Sequence, residues 1–151
     1  MKKLALIFCL IFIASSAVFG QANTIIGHWL SEDRDAQIEI YRVPGNKFNG
    51  RIVWLEEPLN DQGRPKVDDK NPDVSMRDRP TLGLEILKDF NYNASKQEWE
   101  KGTIYDPKSG KTYDAFMRLD GNNALRLKGF VLGMRFLGRE SSWSRESGLR
   151  E

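Results

Sequence analysis

The chain has 151 residues, with 23 Lys+Arg against 21 Asp+Glu, one Cys and one His, a length that fits a single domain. Lys2 and Lys3 precede an apolar run from Leu4 to Ala14, and without those two lysines basic and acidic side chains balance at 21 each, which argues against nucleic acid as a partner. The only cysteine, Cys9, lies inside the apolar run, so disulfides, thiol chemistry and cysteine metal sites are excluded from the rest of the chain.

In chain order, residues 1–20 read as a secretory signal peptide: a basic start, an apolar stretch too short to span a bilayer, then the small residues Val18 and Gly20. Cleavage is expected after Gly20 or after Ala22, leaving one folded domain over 23–151 in the periplasm or outside the cell, with no integral membrane segment. From Asn23 onward apolar residues recur at a spacing of two between Gly, Asn, Asp and Pro, which predicts half-buried antiparallel strands. Ala36 to Tyr41 is the first clear strand, with Ile38 and Ile40 on one face. Pro44-Gly45-Asn46 turns it into Phe48 to Leu55, whose even-numbered residues, including Ile52 and Trp54, are expected to face inward because Arg51 prefers water.

Residues 56–80 carry Pro58, Pro65, Pro72 and Pro80 among many charges and predict a long excursion, either a lid over one end of the domain or a surface loop without a duty. Thr81 to Phe90 reads as a short helix, from Leu82, Ile86, Leu87 and Phe90 at helical spacing after Pro80. Strands are then expected at Glu98–Asp106, Lys111–Leu119, Ala124–Leu132, Met134–Gly138 and Ser141–Arg145, joined largely by tight turns. Tyr113, Ala115, Met117 and Leu119 share a face, as do Leu125 and Leu127. Space for about eight strands of about nine residues remains after the loop and turns. This predicts an all-β fold: a small antiparallel up-and-down β-barrel with one short helix and a long loop.

Gly27-His28-Trp29 before the first strand and Trp143-Ser144-Arg145 at the end resemble the signature of lipocalin and calycin barrels. Such a tryptophan plugs the closed end while an arginine, here Arg139 or Arg145, stacks on its ring. Further motifs follow in order: Gly50-Arg51-Ile52-Val53-Trp54, Asn71-Pro72-Asp73, Arg79-Pro80 with Leu82-Gly83-Leu84, Ile104-Tyr105-Asp106-Pro107, Ser109-Gly110-Lys111-Thr112-Tyr113, and Phe136-Leu137-Gly138-Arg139. With these the chain resembles the secreted bacterial family called domain of unknown function 2147 over nearly all of its mature length. The resemblance implies an exported lipocalin-like barrel and brings no catalytic residue or cofactor with it. Gly129-Phe130 stands where the family is expected to show Gly-Tyr.

Chemistry-bearing residues are sparse. His28 is the lone histidine, so a metal cluster or a catalytic triad would have to be built around it, and a structural role at the barrel entry is the expectation. Asp68, Asp69, Asn71 and Asp73 are rich in oxygen, but the run lacks calcium-loop spacing and reads better as a turn in which Asn71 or Asp73 holds backbone amides. Asp106 and Asp114 read as structural or solvated, and no catalysis is expected. An apolar, lipid-like ligand is expected between Ile52, Trp54, Ile104, Tyr113 and Met117, with Arg79 either meeting a ligand carboxylate or anchoring the loop. The alternatives are a solid-core module of the cell envelope that docks another protein and, less favoured, a hydrolase-type enzyme. No metal or cofactor is expected.

Overall fold

The structure, a computed structural model, describes residues 20–151; the leader expected at 1–20 lies outside the described residues except for Gly20. Eight strands form a closed antiparallel barrel in sequence order: β1 (Gly27–Leu30), β2 (Ala36–Val43), β3 (Lys47–Leu55), β4 (Glu85–Asn93), β5 (Glu98–Asp106), β6 (Lys111–Asp120), β7 (Ala124–Phe130) and β8 (Gly138–Glu146). Closure is completed by β8 pairing with β1, where Trp29 lies opposite Arg145, so no strand edge is left along that seam. One end, the floor, carries the turns 44–46, 94–97 and 121–123 and a 3-10 turn at Asn23–Ile25. The other end, the mouth, carries the connections 31–35, 56–84, 107–110 and 131–137.

Period-two alternation places the core as expected. Ile38 and Ile40 on β2, Phe48 and Ile52 on β3, and Met117 and Leu125 on β6 and β7 are all buried inside. Fully burying a side chain of this kind contributes about 1.5–3 kcal/mol each. The turn after β2 takes its left-handed residues from Gly45 and Asn46, at φ 80° and 58°, the conformation that short hairpin loops require.

Two expectations are corrected. The predicted helix Thr81–Phe90 is mostly strand β4, and among the described residues helical turns lie instead at 20–25 and at Val74–Met76. Bulges explain the mimicry. Arg51 pairs with Glu85 and Gly50 with Leu87, so Ile86 is an extra residue, and both Ile86 and Leu87 are buried. Phe48 then pairs with Phe90, leaving Asn49 of β3 opposite two residues of β4, Lys88 and Asp89, with Asp89 at φ 62°. Apolar residues at 86, 87 and 90 therefore face the core from an extended chain. Similarly, Met134–Gly138 is not a strand: β7 stops at Phe130 and β8 begins at Gly138, with a loop between them.

Glycines on the inner wall make room for bulky neighbours. A Cβ on Gly102 would stand 2.4 Å from the Phe90 ring, and one on Gly50 2.8 Å from Leu87. Those aromatic and branched side chains fill the floor half of the barrel to the density of a protein interior.

Candidate functional site

The floor is sealed by the segment that enters β1. Ile25 and Trp29 are fully buried, and the Trp29 indole donates to the Ile25 carbonyl at 2.9 Å. The Trp99 indole donates to the Ala22 carbonyl at 3.0 Å. Over the Trp29 ring lies the Arg145 guanidinium, 4.1 Å from the ring centroid. It also donates to the carbonyls of Asn122 at 2.7 Å, Ile26 at 3.0 Å and Thr24 at 2.5 Å. Gly27 is shaped by this clasp. Its φ is +133°, and a Cβ there would sit 3.1 Å from Arg145 Nη1, so a side chain would push against the guanidinium. Arg139, the other candidate for the clasp, is a correction: it stands at the mouth, opposite Gly129.

Toward the mouth the inner wall opens. Ile104 pairs with Tyr113 and Leu87, and Ala115 with Gly129, so Ile104, Tyr113 and Gly129 face inward together. Ile104 and Tyr113 are only half-buried, whereas Met117 and Ile52 are covered. A Cβ on Gly129 would lie 3.4 Å from Ile104 and 3.5 Å from Tyr113, an ordinary contact distance, so this glycine borders the mouth without being filled by a neighbour. Strand alternation carries two cations to the same inner face. Lys111 is two residues before Tyr113, and Arg139 shares its face with Ser141 and the buried Trp143. Both are exposed at the rim, and neither has an ion-pair partner among the described residues.

Trp54 is the main correction among the candidate lining residues. Ile38 pairs with Ile52 but Gln37 pairs with Trp54, so Val53 is a bulge, and one extra residue turns every later side chain to the opposite face. Trp54 therefore lies on the outer wall beside Gln37. There the chain's end covers it: its indole donates to the Glu151 carbonyl at 3.1 Å and Arg150 stacks 5.0 Å from its ring. Gln37 is fully buried under the same tail, donating to Glu146 at 2.6 Å and to the Gly148 carbonyl at 2.8 Å.

Arg79 is held by the loop. Its guanidinium lies 3.0 Å from Asp68, a fully buried carboxylate that also accepts from the Tyr105 hydroxyl at 2.5 Å and from Asn71 at 2.7 Å. Burial first, then the bond to Asp68, pushes the Tyr105 phenol up to about 12. The other oxygens of this stretch serve the turn, with Asn71 accepting from the Asp73 amide and Asp73 from the Ser75 amide and hydroxyl. Of the two readings of Arg79, the loop anchor fits these contacts.

A family model described as "uncharacterized protein conserved in bacteria (DUF2147)" matches residues 27–145. The chain belongs to that family. The DUF2147 chain is also similar to a solved structure described as "Protein HP1028 from the human pathogen Helicobacter pylori belongs to the lipocalin family", with 22% identity, a TM-score of 0.69, and coverage of 82% of this chain and 83% of that one. At that identity the likeness establishes the fold, a lipocalin-like barrel. No curated protein sequence matches.

Of the remaining polar candidates of the DUF2147 barrel, His28 and Asp114 lie outside its interior, whereas Asp106, opposite Lys111 and two residues beyond the inward Ile104, ends the inner face at the rim. His28 neighbours the inward Trp29 and so points to the outer wall, paired in register with Glu39 and Glu146. Asp106 accepts from the Lys108 amide and the Ser109 hydroxyl in its turn, and Asp114 is exposed opposite Phe130. Phe130 itself lies outside with Phe116, their ring centroids 6.2 Å apart, so its ring faces away from the mouth. Among the described residues no group of His, Cys, Asp and Glu is placed to hold a metal ion, and no helix is long and apolar enough to cross a membrane.

Sequence reading missed two features. Lys111 belongs to the inner face, a placement that its spacing from Tyr113 already carried. The 131–137 connection folds over the outer wall, where Arg135 stacks 3.7 Å from the Phe116 ring and pairs at 2.7 Å with Glu98, a fully buried carboxylate shared with Arg118. It leaves Leu132 85% and Phe136 76% exposed.

Proposed function

We propose that this chain is an exported binding protein that takes up a small, mainly apolar molecule at the mouth of its barrel and performs no catalysis on it. The observation that carries this reading is the grading of the inner wall. The floor half is packed solid around Trp29, Phe48 and Phe90, while Ile104 and Tyr113 face inward yet stay half-exposed beside Gly129. Inward apolar surface left open to solvent gains free energy when a ligand covers it, on the order of 25 cal/mol per Å², which for a few hundred Å² reaches micromolar affinity after association costs. Ile52 and Met117 would form the bottom of such a site. The leader-like first twenty residues support export to the periplasm or beyond.

The test is titration of the exported protein with cis-parinaric acid, a fatty acid whose fluorescence rises on entering an apolar site, together with native mass spectrometry of the protein as isolated. Saturable binding at one site is expected, and Gly129→Val, which projects a branched side chain beside Ile104 and Tyr113, should abolish it while leaving the melting temperature near the parent value. A clean apo mass with no uptake of the probe would overturn the reading.

One observation favours a second reading, a module that docks another protein: the exposed Leu132 and Phe136 on the 131–137 connection, since apolar side chains grouped on a surface mark interaction sites. It predicts that Leu132→Ser with Phe136→Ser removes a partner captured from envelope extract and leaves probe binding untouched.

A further inference from the structure

We infer that the mouth selects amphiphiles with a single anionic headgroup, which Arg139 and Lys111 receive at the rim while the tail lies against Ile104 and Tyr113. This rests on the binding function proposed above and specifies its ligand.

The argument starts from strand register. On β8 the pairs Leu125–Trp143, Leu127–Ser141 and Gly129–Arg139 run without a shift. Trp143 is buried in the core, so Arg139, four residues earlier, projects from the inner face. On β6, Lys111, Tyr113, Ala115 and Met117 alternate in the same way, with Ala115 and Met117 buried. Two cations on β6 and β8 therefore lie on either side of β7: Arg139 stands opposite Gly129, which has no side chain, and Lys111 stands four residues mouthward of Ala115, the β6 partner of Gly129. The inner wall beside and below them carries Ile104, Tyr113, Ala115 and Leu127, with Ser141 on β8 as its polar member.

Neither cation has an ion-pair partner among the described residues. The carboxylates near the mouth are engaged elsewhere: Asp35 and Asp33 lie 2.6 and 3.8 Å from Lys108, Asp68 pairs with Arg79, and Asp106, opposite Lys111 on β5, accepts from the Lys108 amide and the Ser109 hydroxyl of its own turn. Glu140 sits next to Arg139 in sequence, so it points outward, and it pairs with Arg126 at 3.0 Å. A cation above a mainly apolar wall is the complement of a molecule with a charged head and a greasy tail, and a guanidinium binds carboxylate or phosphate oxygens in a two-point fork. The mouth thus differs from the Arg79 site, whose guanidinium is already occupied by Asp68.

The experiment compares cis-parinaric acid with its methyl ester, which keeps the tail and removes the charge, on the parent protein, Arg139→Gln and the double variant Arg139→Gln with Lys111→Gln. The parent should prefer the acid by about two- to fivefold, the range of a partly exposed ion pair. That preference should shrink with added salt and vanish in the double variant, while affinity for the ester stays unchanged. Both substitutions are on exposed side chains, so the fold is kept, and equal melting temperatures check this. Equal binding of acid and ester by the parent protein, or an acid preference that survives in the double variant, overturns the inference. Failure of the parent to bind either probe overturns the binding function itself, and the selectivity with it. Repeating the comparison with a lysophosphatidic acid and its neutral monoacylglycerol separates carboxylate from phosphate headgroups.

Discussion

Replacing Arg145 with alanine tests the floor of the barrel most directly. The substitution removes a guanidinium 4.1 Å from the Trp29 ring and its donated bonds to the carbonyls of Asn122, Ile26 and Thr24. A cation on a desolvated indole contributes about 1–2 kcal/mol. The three charge-assisted bonds, discounted because this end of the barrel is partly exposed to water, add about 2 kcal/mol together. A loss of about 3–4 kcal/mol is expected, a large share of the stability of a domain this size, corresponding to a fall in melting temperature of about 10–15 °C. Urea unfolding followed by circular dichroism measures it. Arg145→Lys should recover less than half, because an ammonium cannot lie flat on the ring and reach three carbonyls at once. Gly27→Ala should cost more than an ordinary Gly→Ala, since it meets both a φ of +133° and Arg145 Nη1. A loss below about 1 kcal/mol for Arg145→Ala, or full rescue by lysine, would refute the role assigned to the clasp.

Four further outcomes are expected. Trp54→Ala should cost only about 1–2 kcal/mol and leave parinarate binding unchanged, because the ring is half-buried on the outer wall, whereas an inward ring would cost about 3–5 kcal/mol; urea unfolding with probe titration decides. Arg135→Ala should release the 131–137 connection from Glu98 and Phe116, seen as rapid chymotrypsin cleavage at Phe136 in an otherwise folded protein; an unchanged cleavage rate counts against the brace. Burial, then bonding to Glu85 and to Asp68 respectively, raises the phenols of Tyr41 and Tyr105 to about 12. The unfolded chain therefore loses these protons first: their contribution is intact below pH about 10 and is lost as pH rises toward about 12. Urea midpoints across that range should fall less steeply in Tyr41→Phe and Tyr105→Phe, and identical slopes would contradict it. Processing should fall after Gly20, because cleavage after Ala22 would remove the carbonyl that accepts the buried Trp99 indole, leaving an unsatisfied donor at about 1–3 kcal/mol; the intact mass of exported protein distinguishes the two ends.

The alternation of Ile38 with Ile40, of Tyr113 through Leu119, and of Leu125 with Leu127 was sufficient to specify strands, an inner face and an all-β barrel, since each strand's pattern is a local property of a pleated chain with one dry side. The placement of Ile104, Tyr113 and Met117 inside followed from the same parity. The plug at Trp29 was legible from its position before the first strand, but its clasp was not, because Arg139 and Arg145 lie on the same side of β8 and only closure of β8 onto β1 selects Arg145.

What the tertiary structure alone decided lies where the parity breaks or where a charge chooses its partner. Val53 bulges because Gln37 must meet Trp54, Ile86 because Glu85 must meet Arg51; these are decisions of a neighbouring strand, and no feature of the bulged strand records them. Each moves side chains to the other face, sending Trp54 outside and giving β4 the apolar spacing of a helix. Likewise, nothing local distinguishes Arg79 from Arg139. Asp68, eleven residues before Arg79 and buried beneath the folded loop, takes one guanidinium, and the strand carrying the other brings no acid within its reach.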